Sequence, residues 1–588
     1  MASGKYFQDE LRYLKEMGSE FAKHNPKLAH FLADDAYDPD VERLLEGFAF
    51  LSGRLREKID DELPELTQSM MTLLWPHYMR SIPSMCITQM NPDVLGVTSK
   101  RTIKKGKELF SPQVEGVQCR FKTSYDVDVY PISISSIAQH STSTSSTIDM
   151  TVNSAIANNS QAGVNLATLG LDTLRCHLSG SVNITRSLYV WLLRHLKHIV
   201  LDVEGGQKHV LSPDKVKPVG FDDTESLLPF SKHVFSGYRL LQEYFAMPEK
   251  FMFFDLQGLE GISEVPICSG FKVSFVFDRP LPDDVIVRNN TIRLHCSPAV
   301  NLFTEDADPI RMEQRAVEYP VKAQNLDLIH HEVYSVDSVE CWSKTTRQQK
   351  TLVEFESFEH SIYPNKSQDF YRTKIAERAD NNGLQRFISF HKHDQTQANL
   401  EADTVLMSLT CSNGSLPERL SVGDIKDDNT QGAEKSECIN ITKPTQSLRP
   451  QLSGELQWQL IANMSLNYMT MADINALKTL IATYDFQSNV NRQTQRISQR
   501  RLEGLKAVDI LPIDRIYRGV MVRGTQCHLT VDSDKFVNEG DMFLLCNIIN
   551  EFIRVHASIN SFTELEVTDD NTNENYHWKH QIGRQEVI

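Results

Sequence analysis

The first eighty residues carry apolar side chains at the three- and four-residue steps of an α-helix. The clearest stripe continues to Ile59 and Leu63, and its leading positions are Val41, Leu44, Leu45, Phe48, Leu51 and Leu55. Asp38 is suited to capping the first amides, and Pro39 is suited to the first helical turn. The pattern therefore predicts a helix that begins next to Asp38.

Two further helices are predicted beside this one. An earlier stripe consists of Phe7, Leu11, Leu14, Met17 and Phe21. A later helix would start at Pro64 and stop before Pro76, since proline fits a first turn but not a helix interior. Because the acidic run 60–62 opposes the negative end of a helix dipole, we expect a kink or restart there.

The helix after Asp38 contains small residues at Gly47, Ala49, Ser52 and Gly53. A glycine inside a helix costs about 0.8–1 kcal/mol relative to alanine, so its smallness should serve a purpose. Close approach of another helix is one such purpose. Two readings stay open at this stage: the apolar face packs within its own chain, or it packs against a partner. We favour the partner, because the stripe is long for so short a domain.

From about Ser84 the pattern changes to short β-type runs, such as CITQM, VQCRF, LRCHL and FKVSFVF, separated by turn residues. Frequent turns between short strands favour antiparallel sandwiches. Helical inserts are predicted at 187–198 and 238–245, and the polar stretch 133–149 reads as a loop or hairpin tip. A second β-rich stretch follows and ends in an exposed linker around 426–432.

The last part of the chain mixes both patterns. We predict a helical stretch at 460–484, a hairpin made of GVMVRG and HLTVD, a helix at 540–556 and a final strand. The apolar residues of that helix, which fit either an internal core or a contact between copies, are Phe543, Leu544, Ile548, Phe552 and Ile553. The whole pattern predicts a multidomain α+β protein, divided into a helical module (1–82), a sandwich-like β domain (83–325), a second β-rich domain (326–450) and a C-terminal α+β region (451–588).

The amino-acid composition argues against some classes of binding partner. The chain has 588 residues with 61 basic and 77 acidic side chains, which gives a formal net charge of −16. This balance argues against a broad surface for nucleic acid or an anionic membrane. No long apolar run is present and the start is charged, so we expect a cytoplasmic protein without a membrane-inserted segment. The ten cysteines form no CxxC pair, which predicts buried, reduced thiols.

Catalytic motifs are missing from the sequence. It has no phosphate-binding glycine loop, no nucleophile elbow and no HExxH helix. The nearest metal-like cluster is His391-Lys392-His393-Asp394, whose spacing matches no known hydrolase signature. His330-His331 and the pair His195 and His198 are no stronger, and the paired aspartates at 222–223 and 283–284 lie in turns, where aspartate serves the backbone. We therefore predict no catalytic residue, cofactor or metal; the alternative is an unrecognised β-sandwich enzyme or carbohydrate-binding protein.

Long strings of this sequence resemble the TssF family, also called ImpG or VasA, of the bacterial type VI secretion system. They are DPDVERLLEGFAFLSGRLREKIDDELPELTQ (38–68), LLWPHYMRSIPSM (73–85), FSGYRLLQEYFAMPEKFMFFDLQGL (235–259), CSPAVNLFTEDADPIRMEQRAVEYPV (296–321) and RGVMVRGTQCHLTVDSDKFVNEGDMFLL (518–545). They occur in the family's order and together span most of the chain.

The resemblance implies a structural subunit of the baseplate wedge. It implies assembly with TssG, with two copies of this chain per TssG, and with TssK, TssE and the VgrG spike as neighbours. It also implies that the wedges surround the spike, nucleate the contractile sheath and lie in the cytoplasm at a baseplate docked on the inner membrane. The stripe Val41, Leu44, Leu45, Phe48, Leu51 and Leu55 is then expected to enter a helix bundle shared with TssG and the second copy.

Overall fold

A computed structural model gives the structure of the chain. It describes residues 7, 11–14, 39–60, 68, 70–72, 75–92, 97–154, 164–204, 206, 208–230, 236–312, 316–327, 329–342, 349–355, 369–378, 383–391, 404–427, 438–450, 452, 473–517, 520–557 and 561–583. These residues belong to two compact units: one combines 1–75 with 451–464, and the other combines 76–450 with 465–588.

Most described residues of the first unit are helical. Helix α1 (Pro39–Asp60) begins at the proline that the sequence predicted. In the preceding segment Leu11 and Leu14 are half-buried while Tyr13 is exposed, as the predicted stripe requires. Residues 70–72 are helical too, in agreement with the third predicted helix. The predicted restart after Asp60 falls on 61–67, outside the described residues.

The described residues of the second unit form the α-helices α2 (Val182–Val190), α3 (Ser236–Ala246), α4 (Ile474–Thr483), α5 (Phe486–Val490), α6 (Arg492–Glu503) and α7 (Glu539–His556). The predicted helices at 238–245 and 540–556 are confirmed. The predicted insert at 187–198 is shifted: α2 starts five residues earlier, continues as a π-helical turn through His195, and a strand begins at Leu196.

Aspartate and asparagine caps explain where several of these helices begin. The Asp473 side chain accepts a hydrogen bond from the Asn475 amide at 2.9 Å at the start of α4. The Asn538 side chain does the same for the Asp541 amide, also at 2.9 Å, at the start of α7. The predicted helical stretch 460–484 is confirmed only from 474 onward, because 453–472 lie outside the described residues.

The strands up to residue 203 are β1 (Met85–Met90), β2 (Arg101–Ile103), β3 (Glu108–Val114), β4 (Val117–Thr123), β5 (Val127–Val129), β6 (Ile132–Ser141), β7 (Ser146–Ser154), β8 (Thr173–Leu178) and β9 (Leu196–Val203). They are followed by β10 (Lys208–Leu211), β11 (Val216–Pro218), β12 (Phe253–Gln257), β13 (Gly270–Phe277), β14 (Ile292–Leu294) and β15 (Cys296–Val300).

The second β-rich stretch holds β16 (Phe303–Asp306), β17 (Ile310–Arg311), β18 (Tyr319–Pro320), β19 (Glu332–Trp342), β20 (Gln349–Glu354), β21 (Phe370–Glu377), β22 (Leu384–His391), β23 (Thr404–Ser412) and β24 (Cys438–Asn440). The C-terminal strands are β25 (Leu505–Tyr517), β26 (Val520–Val531), β27 (Phe562–Asp569), β28 (Asn575–His577) and β29 (Gln581–Ile582).

Most of the pairing is antiparallel, as predicted. Three sheets have the orders β24-β1-β15-β4-β3, β10-β9-β13-β7-β6 and β11-β12-β8-β14, and β2 pairs with β5. The polar stretch 133–149 forms the hairpin β6-β7. Strand β24 returns to pair with β1, so residues 438–440 join the first sheet although they follow the second β-rich stretch.

The largest sheet has the order β16-β23-β19-β20-β21-β22-β18, with β17 paired to β23. Its core includes Phe303, Val339, Ile388 and Leu409, all nearly inaccessible to solvent. The sheet therefore starts at Phe303. The domain boundary placed between 325 and 326 from the sequence falls between β18 and β19, which belong to this same sheet.

The C-terminal sheet has the order β25-β26-β27-β28, with β29 on β27. One prediction here is wrong: GVMVRG and HLTVD do not form a hairpin with each other, because both belong to the single strand β26. The hairpin is β25-β26. Gly524 lies inside β26 opposite Phe562.

Helix α7 settles the two readings of its apolar face. Its side chains Phe543, Leu544, Ile548, Phe552 and Ile553 are all buried within this chain. The Phe552 ring meets the Tyr238 ring of α3 edge-on at 5.2 Å between centroids. The helix is therefore part of the internal core. A chain truncated near Ser498 would lose part of the core of the second unit, so such a truncation cannot be used to test for an assembly contact. All ten cysteines are buried and none is in a disulfide bond. The α+β multidomain fold class is confirmed.

Candidate assembly surface

Helix α1 turns a row of large apolar side chains outward. Leu44, Phe48 and Leu51 expose 73%, 59% and 66% of their surface. They follow one another at steps of four and three residues, so they lie on one face of the helix. Gly47 lies on the same face, and a Cβ atom built there would meet nothing within 4 Å.

The opposite face of α1 is the one that this chain covers. Ala49 is fully buried, Gly53 is buried, and Leu45 and Ser52 are half-buried. The small residues thus divide into two groups: Ala49 and Gly53 allow close packing inside the chain, whereas Gly47 leaves open space on the outward face. The structure places Leu45 on the flank of the covered face, apart from Leu44, Phe48 and Leu51.

Three members of the predicted stripe, Val41, Leu55 and Ile59, are described only by their backbone. They lie within the helix Pro39–Asp60, but their side chains fall outside the described residues. Phe50 was missed by the sequence reasoning. It exposes 50% of its surface away from the predicted stripe. Its large aromatic side chain is the signal that could have found it.

Such exposure is costly for a folded chain in water. Burying one leucine or phenylalanine side chain stabilises a protein by about 1.5–3 kcal/mol. A soluble monomer rarely leaves several large apolar side chains together on one helix face, and such patches mark interaction sites. The outward face of α1, defined as Leu44, Gly47, Phe48 and Leu51, is therefore the candidate assembly surface.

Two of the candidate histidines, His195 and His391, have local partners. His195 is buried and lies 3.4 Å from a Glu539 carboxylate oxygen and 3.5 Å from one of Asp278. His391 is on β22, and its ring lies 2.9 Å from the Ser389 hydroxyl. His393 and Asp394 lie outside the described residues, so the structure does not test that cluster.

Of the paired aspartates, Asp222 serves the backbone, as predicted, whereas Asp284 binds a side chain. Asp222 accepts a hydrogen bond from the Thr224 amide at 3.0 Å and caps a short 3-10 turn. Asp284 accepts one from the Asn183 side chain at 2.6 Å. Within the described part of the chain, no helix is both long enough and apolar enough to span a membrane.

Known proteins match this chain along nearly its entire length. The family model for "Type VI secretion system, TssF" matches residues 2–585. The type VI secretion system component TssF1 of Pseudomonas aeruginosa is 27% identical, over 98% of each chain. A chain of the TssK-TssF-TssG baseplate subcomplex is 27% identical with a TM-score of 0.76, over 92% of this chain and 99% of that one.

A chain of a second solved assembly, the baseplate complex from the type VI secretion system, has the same fold. It superposes with a TM-score of 0.68 at 24% identity and covers both chains completely. The resemblance of the sequence strings is thus confirmed at the level of family and of fold: this chain belongs to the TssF family of the type VI secretion system.

Proposed function

We propose that this chain is a structural subunit of a type VI secretion baseplate wedge. The observation that carries the proposal is the end-to-end likeness, at a TM-score of 0.76, to a chain of the TssK-TssF-TssG baseplate subcomplex. In this role the chain scaffolds the baseplate around the spike and nucleates the contractile sheath. It acts in the cytoplasm, at a baseplate docked on the inner membrane.

The implied partners are TssG, TssK and a second copy of this chain, with two copies per TssG. TssE and the VgrG spike are further neighbours, and the sheath is reached indirectly. We place the contact with TssG or with the second copy on the candidate assembly surface of α1. The outward orientation of this face supports the placement. Ala49 and Gly53 of α1 are buried within the chain, whereas Leu44, Phe48 and Leu51 are exposed.

The substitution Phe48→Glu tests this placement. In the lone chain the side chain is more than half exposed, so a glutamate should be tolerated. In a helix bundle the same carboxylate would be buried without a partner, which costs several kcal/mol. We expect the isolated variant to melt like the wild type and the complex with TssG to be lost.

Arg43→Glu is the matched control, since it introduces the same side chain at an exposed position of the same helix. Both variants are co-expressed with TssG and sized by light scattering, and each lone chain is melted in parallel. An insoluble Phe48→Glu chain beside a soluble Arg43→Glu chain would place the face in the internal core. A Phe48→Glu chain that still assembles fully would refute the contact.

We also propose that the chain has no catalytic role in secretion. Replacing His391, His393 and Asp394 together by alanine should leave secretion intact. Stoichiometric zinc in protein purified without added metal, lost in the triple variant together with secretion, would contradict this. The family membership supports the scaffold role over an unrecognised β-sandwich enzyme or carbohydrate-binding protein.

A further inference from the structure

Three potential metal ligands stand side by side on the C-terminal sheet. In the strand register His528 of β26 is paired with Glu566 of β27, and Glu566 is paired with His577 of β28. Paired residues on neighbouring strands point to the same face of a sheet. The two imidazoles therefore flank one carboxylate on the solvent side, although the three residues are spread along the sequence.

The donor atoms face each other at short distances. His577 Nδ1 lies 3.4 Å from Glu566 Oε1, and His528 Nδ1 lies 4.0 Å from Glu566 Oε2. Ligand atoms on a tetrahedral zinc ion, with bonds of about 2.0–2.1 Å, are about 3.4 Å apart. The His577–Glu566 pair already has this separation, whereas the His528–Glu566 pair is wider at 4.0 Å, so His528 has to move toward Glu566 to bind the same ion.

The second nitrogen of each histidine is held by another side chain. His577 Nε2 lies 3.0 Å from Glu564 Oε1, and His528 Nε2 lies 3.4 Å from the Thr568 hydroxyl. Metal-binding histidines commonly engage their other nitrogen in this way, which fixes the ring and directs the free nitrogen to the metal. Both rings thus present Nδ1 to Glu566.

Glu564 could itself be counted as a ligand, since one of its oxygens lies close to donor atoms of Glu566 and His577. Its surroundings favour the orienting role instead. The Glu564 side chain is 2% exposed and receives hydrogen bonds from Arg515 Nε at 3.0 Å and Arg515 Nη2 at 2.8 Å. Because a guanidinium already occupies its oxygens, Glu564 is available to hold His577 rather than to bind a cation.

We propose that His528, Glu566 and His577 form a binding site for a divalent transition metal, of which zinc suits the ligands best. Two imidazoles and one carboxylate match zinc, copper or nickel, whereas magnesium and calcium prefer oxygen ligands throughout. Water fills the remaining position, because the site is open to solvent: His577 and Glu566 are 51% and 40% exposed. This site is independent of the wedge role proposed above.

The bound metal joins the short strand β28 to β26 and β27. Next to His577, Tyr576 donates a hydrogen bond to Glu539 at 3.1 Å, and the Arg194 guanidinium lies 3.5 Å from the centre of its ring. Metal binding therefore fastens a strand that carries contacts to α7 and to the segment after α2. We expect zinc to raise the melting temperature of the chain.

The experiment titrates the metal-free full-length chain with zinc. Calorimetry measures the affinity, and metal analysis after desalting measures the number of bound ions. Each of His528→Gln, Glu566→Gln and His577→Gln should weaken zinc binding at least tenfold and abolish the zinc-dependent rise in melting temperature. Glu564→Gln should weaken it roughly 10–100-fold, as expected for a residue that orients a ligand. The wild type should bind one zinc ion and should not bind magnesium.

His140→Gln is the control. His140 also faces a carboxylate, with Nε2 3.6 Å from Asp149 Oδ2, but it is not among the proposed ligands. This variant should bind zinc like the wild type. Zinc affinity that is equal in the control and in the three ligand variants would overturn the proposal, as would a wild type that binds no zinc. Cobalt absorption bands that appear in the wild type and vanish in His577→Gln would support it independently of stability.

Discussion

Gly524 and Phe562 face each other in adjacent parallel strands, and the glycine leaves the space that the phenylalanine ring fills. A Cβ atom at Gly524 would lie 2.5 Å from Phe562 Cδ1, well inside contact distance. The Phe562 side chain is 4% exposed, so its ring has little freedom to move aside. Gly524 is therefore needed for close packing of β27 on β26 and does not make a turn.

Gly524→Ala should destabilise the chain. Forcing a methyl group into a packed core costs about 1–3 kcal/mol. Urea unfolding of the variant, followed by far-UV circular dichroism, measures the change. Gly47→Ala is the control, because a Cβ atom there meets nothing within 4 Å and alanine favours the helix. Equal stability of the Gly524 variant and the wild type would mean that Phe562 shifts freely.

Asp541 at the start of α7 lies between two arginines, and its removal should be among the most damaging single changes. The carboxylate is fully buried, pairs with Arg186, and accepts from Arg501 Nε at 2.9 Å. Asp541→Ala leaves both guanidinium groups without their anion, and breaking such a pair costs about 3–5 kcal/mol.

The control for this change is Glu503→Ala on the neighbouring helix α6. Glu503 is 67% exposed and pairs with Lys535 at 3.7 Å, and surface pairs of this kind contribute little. Both variants are compared by urea unfolding. A loss for Asp541→Ala no larger than that for Glu503→Ala would show that the two arginines find other partners.

The buried histidine His77 makes the second unit sensitive to acid. Burial, together with the nearby Arg80, lowers the pKa of His77 to about 3. Neither ring nitrogen has a hydrogen-bond partner among the described residues, and the ring packs 4.6 Å from that of Phe230. His177 and His295 add to the effect, because burial lowers their pKa values to about 3 and about 4.

The direction in which stability changes with pH follows from proton binding to His77. Below pH 6.5 the unfolded chain protonates His77 while the folded chain does not, so stability falls as the pH drops from about 6.5 toward about 3, by up to about 1.4 kcal/mol per pH unit. His77→Phe should show a shallower decline between pH 7 and pH 5, measured by urea unfolding. The exposed His140→Gln should keep the wild-type slope. Equal slopes for both variants would rule out this role for His77.

Features that depend on neighbouring residues were predictable from the sequence, whereas features that depend on tertiary packing were not. The start of α1 at Pro39 was predictable because caps and first-turn residues act locally. The outward direction of Phe48 agrees with the favoured reading, but helical spacing alone left both readings open because it does not reveal what covers a face. The predicted hairpin of GVMVRG with HLTVD was wrong, because the sequence does not show whether a glycine makes a turn or, like Gly524, makes room for a ring on the next strand. His528, Glu566 and His577 meet only through the register of three strands.

Gly47 offers the most discriminating test of the candidate assembly surface, because it separates the lone chain from the complex. A leucine at this position would meet open space in the lone chain, and leucine has a higher helix propensity than glycine. Gly47→Leu should therefore leave the isolated chain as stable as the wild type or slightly more stable. If a partner helix packs closely over Gly47, the same side chain should block it and weaken complex formation with TssG at least tenfold.

Melting of the lone chain and a pull-down against titrated TssG measure the two effects. Gly47→Ala, with its smaller side chain, should fall between the wild type and leucine. Full assembly of the Gly47→Leu variant would exclude close helix packing over Gly47.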